Sequence, residues 1–234
     1  MRTGADLTGG LFWHLRGCVA RHGLWAPFRL ELEDWLAGWS PSTRKLLLVG
    51  PSAGWCLPDS FLSRFDHVQA IDIDPAAQPL FKLLHGGALR RAGATLAWSR
   101  VDFFADPARI LDAHPDAAVL LCNVAGQRCV QLRDPDAVEA EMVALRGLLQ
   151  GRHWASFHDL LSGRVSAAPP MRRLSRHVGP EELLASLGFG GEWFDHLTRQ
   201  LLPPQAARRI LPWRFRRSRL HLIEAGWVAG EGRK

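Results

Sequence analysis

The segment KLLLVGPSAG at residues 45–54, followed by VQAIDID at residues 68–74, decides the fold of this chain. A continuous apolar run that ends in Gly and Pro is typical of a central strand in a parallel sheet. Glycines in the turn let backbone amides approach a ligand closely, and an acid at the tip of the next strand, about twenty residues on, can hold ribose hydroxyls. The two segments therefore predict a strand, a turn, a helix and a second strand that bind an adenosine-containing ligand.

Strand and helix patterns alternate along the rest of the chain. Further strands are predicted near residues 95–101, 118–123 and 154–158, and helices near 59–65, 75–85, from 107 onward, at 135–149 and at 180–188. Strands that alternate with helices imply a parallel sheet. Right-handed crossovers then place the ligand crevice at the carboxyl ends of the strands.

The two opening segments resemble the class I S-adenosylmethionine-dependent methyltransferases. In that family a glycine-rich turn follows the first strand, and an acid ends the second. Gly50, Ser52 and Gly54 fall on the glycine positions of this chain. Asp72 falls at the ribose-binding place, followed by Ile73. The resemblance implies that these five residues bind S-adenosylmethionine.

The resemblance continues downstream and covers residues 45–228. Asp102 and Phe103 resemble the third-strand motif, whose Asp hydrogen-bonds the adenine amino group, and Asn123 ends the fourth strand at the methyl-transfer site. The implied fold is a Rossmann-like α/β sandwich with a mostly parallel seven-stranded sheet. Residues 192–201 and 219–228 are predicted to form the antiparallel C-terminal hairpin that closes it.

The chain departs from the family pattern in three places. Leu48 stands where the family usually has an acid, Ser52 replaces the middle glycine, and the residues from Asn123 to Gly126 replace the usual fourth motif. The favoured function is a methyltransferase with a small-molecule acceptor. The departures support an alternative function of a different class, in which the chain is a non-catalytic descendant of a methyltransferase that binds RNA or a protein.

Two other ligand-binding turns compete for the same residues. The pattern Gly50-x-Ser52-x-Gly54 also fits the nucleophile elbow of serine hydrolases, in which Ser52 would be the nucleophile. The triad would then require a later acid and histidine, such as Asp159 or Asp195 with His196 or His221. A dinucleotide fingerprint would place its third glycine at Trp55, where an indole prevents close packing. An ordinary turn without a ligand is the remaining alternative.

Catalysis of methyl transfer requires few recognisable sequence motifs, because the cofactor supplies the activated methyl group. Asn123, with Gln127 after it, could accept a hydrogen bond from the acceptor, or Asn123 could simply cap the turn. His158 and Asp159 could supply a general base at the end of the fifth strand, or His158 could be structural. The segment 163–177 is expected to form one wall of the acceptor pocket. Its arginines, available to an anionic acceptor, are Arg164, Arg172, Arg173 and Arg176.

Length and composition indicate a single globular domain at residues 45–234, with a helical extension at residues 1–44 packed on it. With 47% apolar and 22% charged residues, the 234-residue chain can bury a full core and is not of the disordered class. Two helices are predicted in the extension, at its start and at residues 30–39. An apolar stripe on the first, formed by Leu7, Leu11, Phe12, Leu15 and Val19, is expected to pack on the domain rather than on a membrane.

The net charge of +6 bears on partners rather than on fold. Part of it forms a basic cluster: Arg208, Arg209, Arg214, Arg216, Arg217 and Arg219. We expect this cluster to lie in the connection between the last two strands and to bind RNA only weakly, so a nucleic-acid acceptor is not favoured. The four cysteines have no metal-binding spacing, and no apolar run reaches the length of a membrane span. The expected compartment is a reducing cytoplasm.

Overall fold

The computed structural model describes residues 10–165, Leu184 and 192–230, and the strands in this part form one sheet. They are β1 (Lys45–Val49), β2 (His67–Ile71), β3 (Thr95–Ser99), β4 (Ala118–Cys122), β5 (Trp154–Arg164), β6 (Trp193–Asp195), β7 (Ala207–Arg216) and β8 (Arg219–Val228). The strand order is β3-β2-β1-β4-β5-β8-β7, and β6 pairs with β5. Strands β1 to β5 are mutually parallel, whereas β6, β7 and β8 run antiparallel to their neighbours.

Helices cover both faces of the sheet. They are α1 (Leu11–Ala20), α2 (Ala26–Gly38), α3 (Asp59–Leu62), α4 (Ala77–Arg91), α5 (Pro107–Asp112), α6 (Arg128–Leu132) and α7 (Pro135–Leu148). The start of α5 is fixed by Asp106, whose carboxylate caps the helix, and by a proline at the first helical position. Asp134 and Pro135 fix the start of α7 in the same way.

The alternation of side chains in β1 divides the core into two layers. Leu46 and Leu48 point to one face, where they pack with aromatic residues of α2, α3 and α4. Leu47 and Val49 point to the other face, where they pack with residues of α5 and α7. A strand that is buried on both faces has no polar side, which is why the central strands read as continuous apolar runs.

The predicted α/β fold, with a mostly parallel sheet and antiparallel C-terminal strands, is confirmed. The prediction for the closing hairpin is wrong: β8 pairs with β7 rather than with residues 192–201, which contribute only the short strand β6. The five-residue core strands match their predicted positions, but β5 runs on to Arg164, six residues beyond the predicted end. Pro212 lies within β7, which its position at the sheet edge permits.

The prediction that the basic cluster lies in a connection is also wrong, because most of it belongs to β7. Arg208 is buried, and its guanidinium donates to Glu224 Oε1 at 3.0 Å and to the carbonyls of Leu202 and Pro203 at 2.8 Å. His158 Nε2 lies 3.3 Å from the other oxygen of Glu224. Burial raises the pKa of Glu224, but the neighbouring His158 and the charge of Arg208 outweigh it and hold that pKa below its ordinary value.

The apolar stripe of α1 does not pack on the domain, contrary to the prediction. Its described members are largely exposed: Leu11 (69%), Phe12 (79%), Leu15 (55%) and Val19 (84%). The helix buries Trp13, His14 and Gly17 instead. A side chain at Gly17 would meet the ring of Trp55 at 2.6 Å, so the absence of a side chain allows this face of the helix to approach Trp55 closely. In the described part of the chain, no helix is long and apolar enough to cross a bilayer.

The buried position of Arg208 leads to a stability prediction. Replacing Arg208 with Met removes the buried positive charge beside Glu224, and we expect a loss of about 3–5 kcal/mol in the free energy of unfolding. The matched control is Arg209→Met on the same strand, which breaks an ion pair with the half-exposed Asp34. We expect that control to change stability by less than about 1 kcal/mol. Urea unfolding of both variants measures the difference, and equal effects would contradict the assignment.

Candidate active site

A cavity of about 1750 Å³ opens at the carboxyl ends of the parallel strands. It is lined by Val49, Ile71 and Cys122, which end β1, β2 and β4, and by Phe157, where the parallel pairing of β5 with β4 ends. The cavity therefore lies where right-handed crossovers are expected to leave a ligand crevice. It has two chemically different ends, one formed by the turns after β1 and β2 and the other by residues after β4 and along β5.

The turn after β1 uses left-handed backbone at each of its three predicted positions. The φ angles are +64° at Gly50, +52° at Ser52 and +72° at Gly54. A Cβ atom on Gly50 would lie 1.8 Å from Val124 Cγ1, so only glycine fits there. Ser52 adopts a conformation that favours glycine, which accounts for the glycine that stands at this place in the family pattern.

Asp72 ties the turns after β1 and β2 together. Its carboxylate accepts the backbone N–H of Ser52 at 2.7 Å and that of Asp74 at 2.9 Å. Burial raises the pKa of Asp72 above its ordinary value, despite these two hydrogen bonds. Each oxygen retains a second lone pair, and Asp72 lines the cavity. The residue is therefore placed to accept hydrogen bonds from ligand hydroxyls.

The remaining residues of this end form a shallow, mostly apolar wall. Ile73 is 59% exposed and Phe103 is buried, and both line the cavity. Asp102 also lines it, and its carboxylate caps a 3-10 turn by accepting the N–H of Phe104 at 2.9 Å. Ile73, Asp102 and Phe103 thus line the same cavity, and their contact with an adenine ring stays a prediction.

Helix α1 closes the same end through polar contacts that the sequence analysis missed. Trp13 Nε1 donates to Ser52 Oγ at 2.9 Å, and His14 Nε2 lies 3.1 Å from Asp74 Oδ2. The N–H of Gly10 donates to the same oxygen of Asp74 at 2.9 Å. Burial opposes ionisation of Asp74, but these N–H donors and His14 hold its pKa below the ordinary value. In the sequence these contacts correspond only to an adjacent Trp and His, Trp13 and His14, on a short helix.

The contact with Trp13 also bears on the hydrolase alternative. Ser52 Oγ accepts from an indole, and in the described residues it has no hydrogen bond to a histidine. Asp159, His196 and His221, which that alternative required, do come together, but around each other and not around Ser52. A serine without a base is not activated as a nucleophile.

At the other end of the cavity, Asn123 holds Asp159. The Asn123 side-chain amide donates to Asp159 Oδ2 at 2.9 Å and accepts the Asp159 backbone N–H at 2.7 Å. Asn123 has φ +57°, a left-handed conformation that Asn tolerates better than most residues. Because both ends of its amide are engaged by Asp159, Asn123 positions that carboxylate rather than presenting a bare amide to a substrate.

Asp159 in turn holds His221. The pairing of β5 with β8 shifts register between Asp159 and Leu161, and such bulges re-aim side chains at sites. Asp159 Oδ1 accepts from His221 Nδ1 at 2.6 Å. Burial acts against the charge of Asp159, but His221, His196 and the Asn123 amide hold its pKa well below the ordinary value. The Nε2 atom of His221 is buried and has no hydrogen-bond partner in the described part of the chain.

His196 completes a cluster that the sequence analysis did not recognise. Its Nδ1 atom donates to the carbonyl of Gly126 at 2.7 Å, and its Nε2 atom lies 3.0 Å from Ser162 Oγ. One ligand atom from each of Asp159, His196 and His221 lies within 4.8 Å of the others, a geometry open to a metal ion. The hydrogen bonds already engage Asp159 and His196, so the arrangement is satisfied as a polar network. Residues this far apart in the chain give no spacing motif.

Of the two roles predicted for His158, the position of its ring fits the structural one and not that of a general base. Its ring is fully buried, 2.8 Å from Ser156 Oγ and 3.3 Å from Glu224, and it does not line the cavity. Successive residues of a strand point to opposite faces. His158 therefore points away from the side on which Asp159 meets the cavity.

The expected wall at residues 163–177 is described only at its start. Gly163, Arg164 and Val165 line the cavity, as does Gln127 at the other side. Arg172, Arg173 and Arg176, like the predicted helix at 180–188 apart from Leu184, lie outside the described residues. The role of the arginines toward an anionic acceptor stays a prediction.

No protein-family model and no curated protein matches the chain. Solved structures do match it at low identity. It is similar to magnesium protoporphyrin IX methyltransferase from Synechocystis with bound S-adenosylhomocysteine (14% identity, 93% of this chain and 89% of that one, TM-score 0.47). It is also similar to 1,6-didemethyltoxoflavin N1-methyltransferase from Burkholderia thailandensis (16%, 93% and 84%, TM-score 0.44). The N-methyltransferase NodS from Bradyrhizobium japonicum is another such structure (14%, 86% and 88%, TM-score 0.42).

These likenesses are distant, and the fold rests on the strand order, five parallel strands closed by an antiparallel C-terminal pair. The chain has the Rossmann-like α/β fold that its sequence predicts. Beyond the predicted seven strands, the described residues add a short strand, β6, against β5. That strand leads directly into His196.

The packing around Asp159 leads to a second stability prediction. A Cβ atom on Gly126 would lie 2.7 Å from Asp159 Cβ and 3.1 Å from Asn123 Oδ1. We expect Gly126→Ala to destabilise the fold by about 1–3 kcal/mol, because the network cannot give way without losing a buried hydrogen bond. Gly147→Ala is the control, since nothing lies near its Cβ position in α7, and we expect it to stabilise by up to about 1 kcal/mol. Thermal and urea unfolding measure both variants. An unchanged free energy of unfolding for Gly126→Ala would contradict the prediction, because it would show that the network has room for a Cβ atom.

Proposed function

We propose that this protein is an S-adenosylmethionine-dependent methyltransferase that acts on a small molecule. One observation carries the proposal: a single cavity joins the glycine turn and Asp72 at one end to the Asn123–Asp159–His221 chain at the other. Its volume of about 1750 Å³ exceeds the range of about 300–1000 Å³ that is usual for one ligand. The space therefore suits a cofactor and an acceptor bound side by side.

The residues at the first end fit the cofactor. Asp72 would hold the ribose hydroxyls, and Ile73, Asp102 and Phe103 would surround the adenine ring. The turn would pass close to the ligand at Gly50 and Ser52, which line the cavity, whereas Gly54 packs against His85 and Phe81. Asn123, at the other end of the cavity, would stand near the transferred group. These assignments follow the family resemblance residue by residue, and the positions of the side chains support them.

The chemistry asks little of the protein. When bound, S-adenosylmethionine supplies an activated methyl group for in-line displacement. The chain's own residues align the acceptor, exclude water and accept a proton where the acceptor carries one. In this scheme Asn123 and Asp159 align the acceptor, so the reaction does not require the fourth-strand motif that the chain lacks.

The acceptor end favours a small molecule over RNA. Trp13, Phe28, Phe157 and Trp213 line the cavity with aromatic surface, whereas Arg208 and Arg209 of the basic cluster are held in ion pairs with Glu224 and Asp34. An aromatic cavity suits a compact apolar ligand. The alternative of a non-catalytic binding protein for RNA or a protein partner has less to support it, since a cavity with room for an acceptor beside the cofactor would be superfluous there.

Cofactor binding is tested by titration with S-adenosylhomocysteine. The wild type should bind, and Asp72→Asn should bind about 5–150-fold more weakly, because the charged acceptor of the ribose hydroxyls contributes about 1–3 kcal/mol. Asp116→Asn is the matched control, an exposed carboxylate that does not line the cavity. Calorimetry measures all three. Failure of the wild type to bind at millimolar ligand would refute the proposed function, and unchanged binding by Asp72→Asn would refute the ribose assignment.

The acceptor class is tested by transfer of tritium from labelled cofactor in a cell extract. We expect label in the fraction of small molecules, because the cavity encloses its ligand. Label in RNA or protein would contradict the small-molecule acceptor. Binding of the cofactor without label in any fraction would favour the non-catalytic alternative.

A further inference from the structure

We propose that His221 is the general base of the reaction, and that the acceptor group it deprotonates is a hydroxyl on an aromatic ring. This inference rests on the proposed function and specifies its substrate class. It follows from three features at the acceptor end of the cavity: the hydrogen-bonded pair of Asp159 and His221, two buried polar atoms without partners, and the aromatic surface around them.

The pair of Asp159 and His221 has the geometry of a base held by a carboxylate. Asp159 Oδ1 lies 2.6 Å from His221 Nδ1, so the carboxylate accepts the Nδ1 proton and leaves the lone pair on Nε2. Asn123 fixes the other oxygen of Asp159 at 2.9 Å. Asn123 and Asp159 are positioning residues in this arrangement, and His221 is the group that meets the acceptor.

The Nε2 atom of His221 lacks a partner in the described part of the chain, although it is buried and its ring lines the cavity. Such an atom is costly to leave unsatisfied and calls for a ligand. Trp213, the residue opposite His221, also has a buried polar atom of this kind. Trp213 pairs with His221 across β7 and β8, its ring centroid lies 5.8 Å from that of His221, and its Nε1 is also buried without a described partner.

A hydroxyl is the ligand group whose hydrogen-bonding capacity suits both atoms. A hydroxyl offers one proton to the lone pair of His221 and accepts a hydrogen bond from the indole N–H of Trp213. Its oxygen then keeps a second lone pair for bond formation. A neutral amine has a single lone pair, which the indole would occupy at the moment it is needed for the attack.

The walls beside these two groups select an aromatic ligand. Phe28 stacks on Trp213 with centroids 4.9 Å apart, and Trp13 meets Trp213 edge-on at 6.1 Å. Trp13, Phe28 and Trp213 all line the cavity. Ring surfaces of this kind bind another ring through burial and quadrupole contacts. A phenol also has a pKa near 10, within reach of an imidazole base during methyl transfer.

The proposed step balances without a further reactant. The O–H bond of the phenol breaks as its proton passes to His221 Nε2, and the oxygen's electron pair forms the new O–CH₃ bond. The electrons of the broken S–CH₃ bond remain on sulfur, which becomes neutral. The positive charge that the sulfonium carried ends on the imidazolium of His221, beside the carboxylate of Asp159, until the proton leaves to solvent.

Fluorine NMR titration with matched probes tests the inference without turnover. The full-length protein, saturated with S-adenosylhomocysteine, is titrated with 4-fluorophenol, 4-fluorotoluene and 4-fluoroanisole. We expect 4-fluorophenol to bind at least about tenfold more tightly than 4-fluorotoluene, as one added hydrogen bond to a buried acceptor provides. We expect 4-fluoroanisole, which can accept from Trp213 but has no proton to give His221, to bind more weakly than 4-fluorophenol.

Two variants test whether His221 and Trp213 cause the preference for 4-fluorophenol. His221→Phe keeps a ring but removes the lone pair, and Trp213→Phe keeps a ring but removes the indole N–H. Each should lose most of the preference for 4-fluorophenol while still binding S-adenosylhomocysteine. If His221→Phe does not fold with Asp159 unpaired, Trp213→Phe and the three wild-type titrations decide alone.

The outcomes separate this inference from the proposed function. Normal binding of S-adenosylhomocysteine with equal affinity for the phenol and toluene probes, or with no binding of 4-fluorophenol, overturns the base and the substrate class alone. Loss of cofactor binding in the wild type overturns both. Zn²⁺ that binds the wild type at micromolar concentration and displaces 4-fluorophenol would make Asp159, His196 and His221 a metal site and also overturn the base assignment.

Discussion

The burial of one carboxylate, Asp159, is the constraint on which the acceptor end of this protein depends. An ionised group away from water is tolerated only when hydrogen bonds and opposite charge surround it. Asn123 from the end of β4 and His221 from β8 supply these contacts, and Thr198 Oγ1 donates to the Asp159 carbonyl at 2.8 Å. Strand β5 is where the parallel part of the sheet meets the antiparallel part. A single side chain on it therefore joins both halves.

The parallel half of the fold was predictable because its strands are buried on both faces. Runs such as that of β1 have no polar alternation, and glycine, proline or acid marks their ends. The antiparallel half was harder to predict, since its polar residues are satisfied inside the protein. Arg208 reads as a solvated charge in sequence, yet it lies in a strand and pairs with Glu224. A charged residue in a sequence indicates solvent exposure only where the fold provides no buried partner of opposite charge.

The two ends of the cavity differ in the same way. The cofactor end is built from neighbouring turns at residues 50–54 and 72–74, so its glycines and acids appear in sequence at family spacing. The acceptor end brings together Asn123, Asp159, His196 and His221 from separate elements. In the sequence these residues suggested separate roles: Asn123 contacted the acceptor or capped a turn, Asp159 shared the role of base with His158, and His196 or His221 served a triad with Ser52. Alternation along a strand decides between His158 and Asp159, and a bulge changes that alternation locally.

Helix α1 links the cofactor end to a part of the chain that the family motifs do not include. Its buried residues Trp13 and His14 bond to Ser52 and Asp74, the two turns that Asp72 also joins. Trp13 in addition lines the cavity and meets Trp213 at the acceptor end. One side chain thus contacts both ends of the cavity. Because the helix keeps its apolar stripe in water to make these contacts, its orientation is set by hydrogen bonds to the site rather than by burial of its most apolar face.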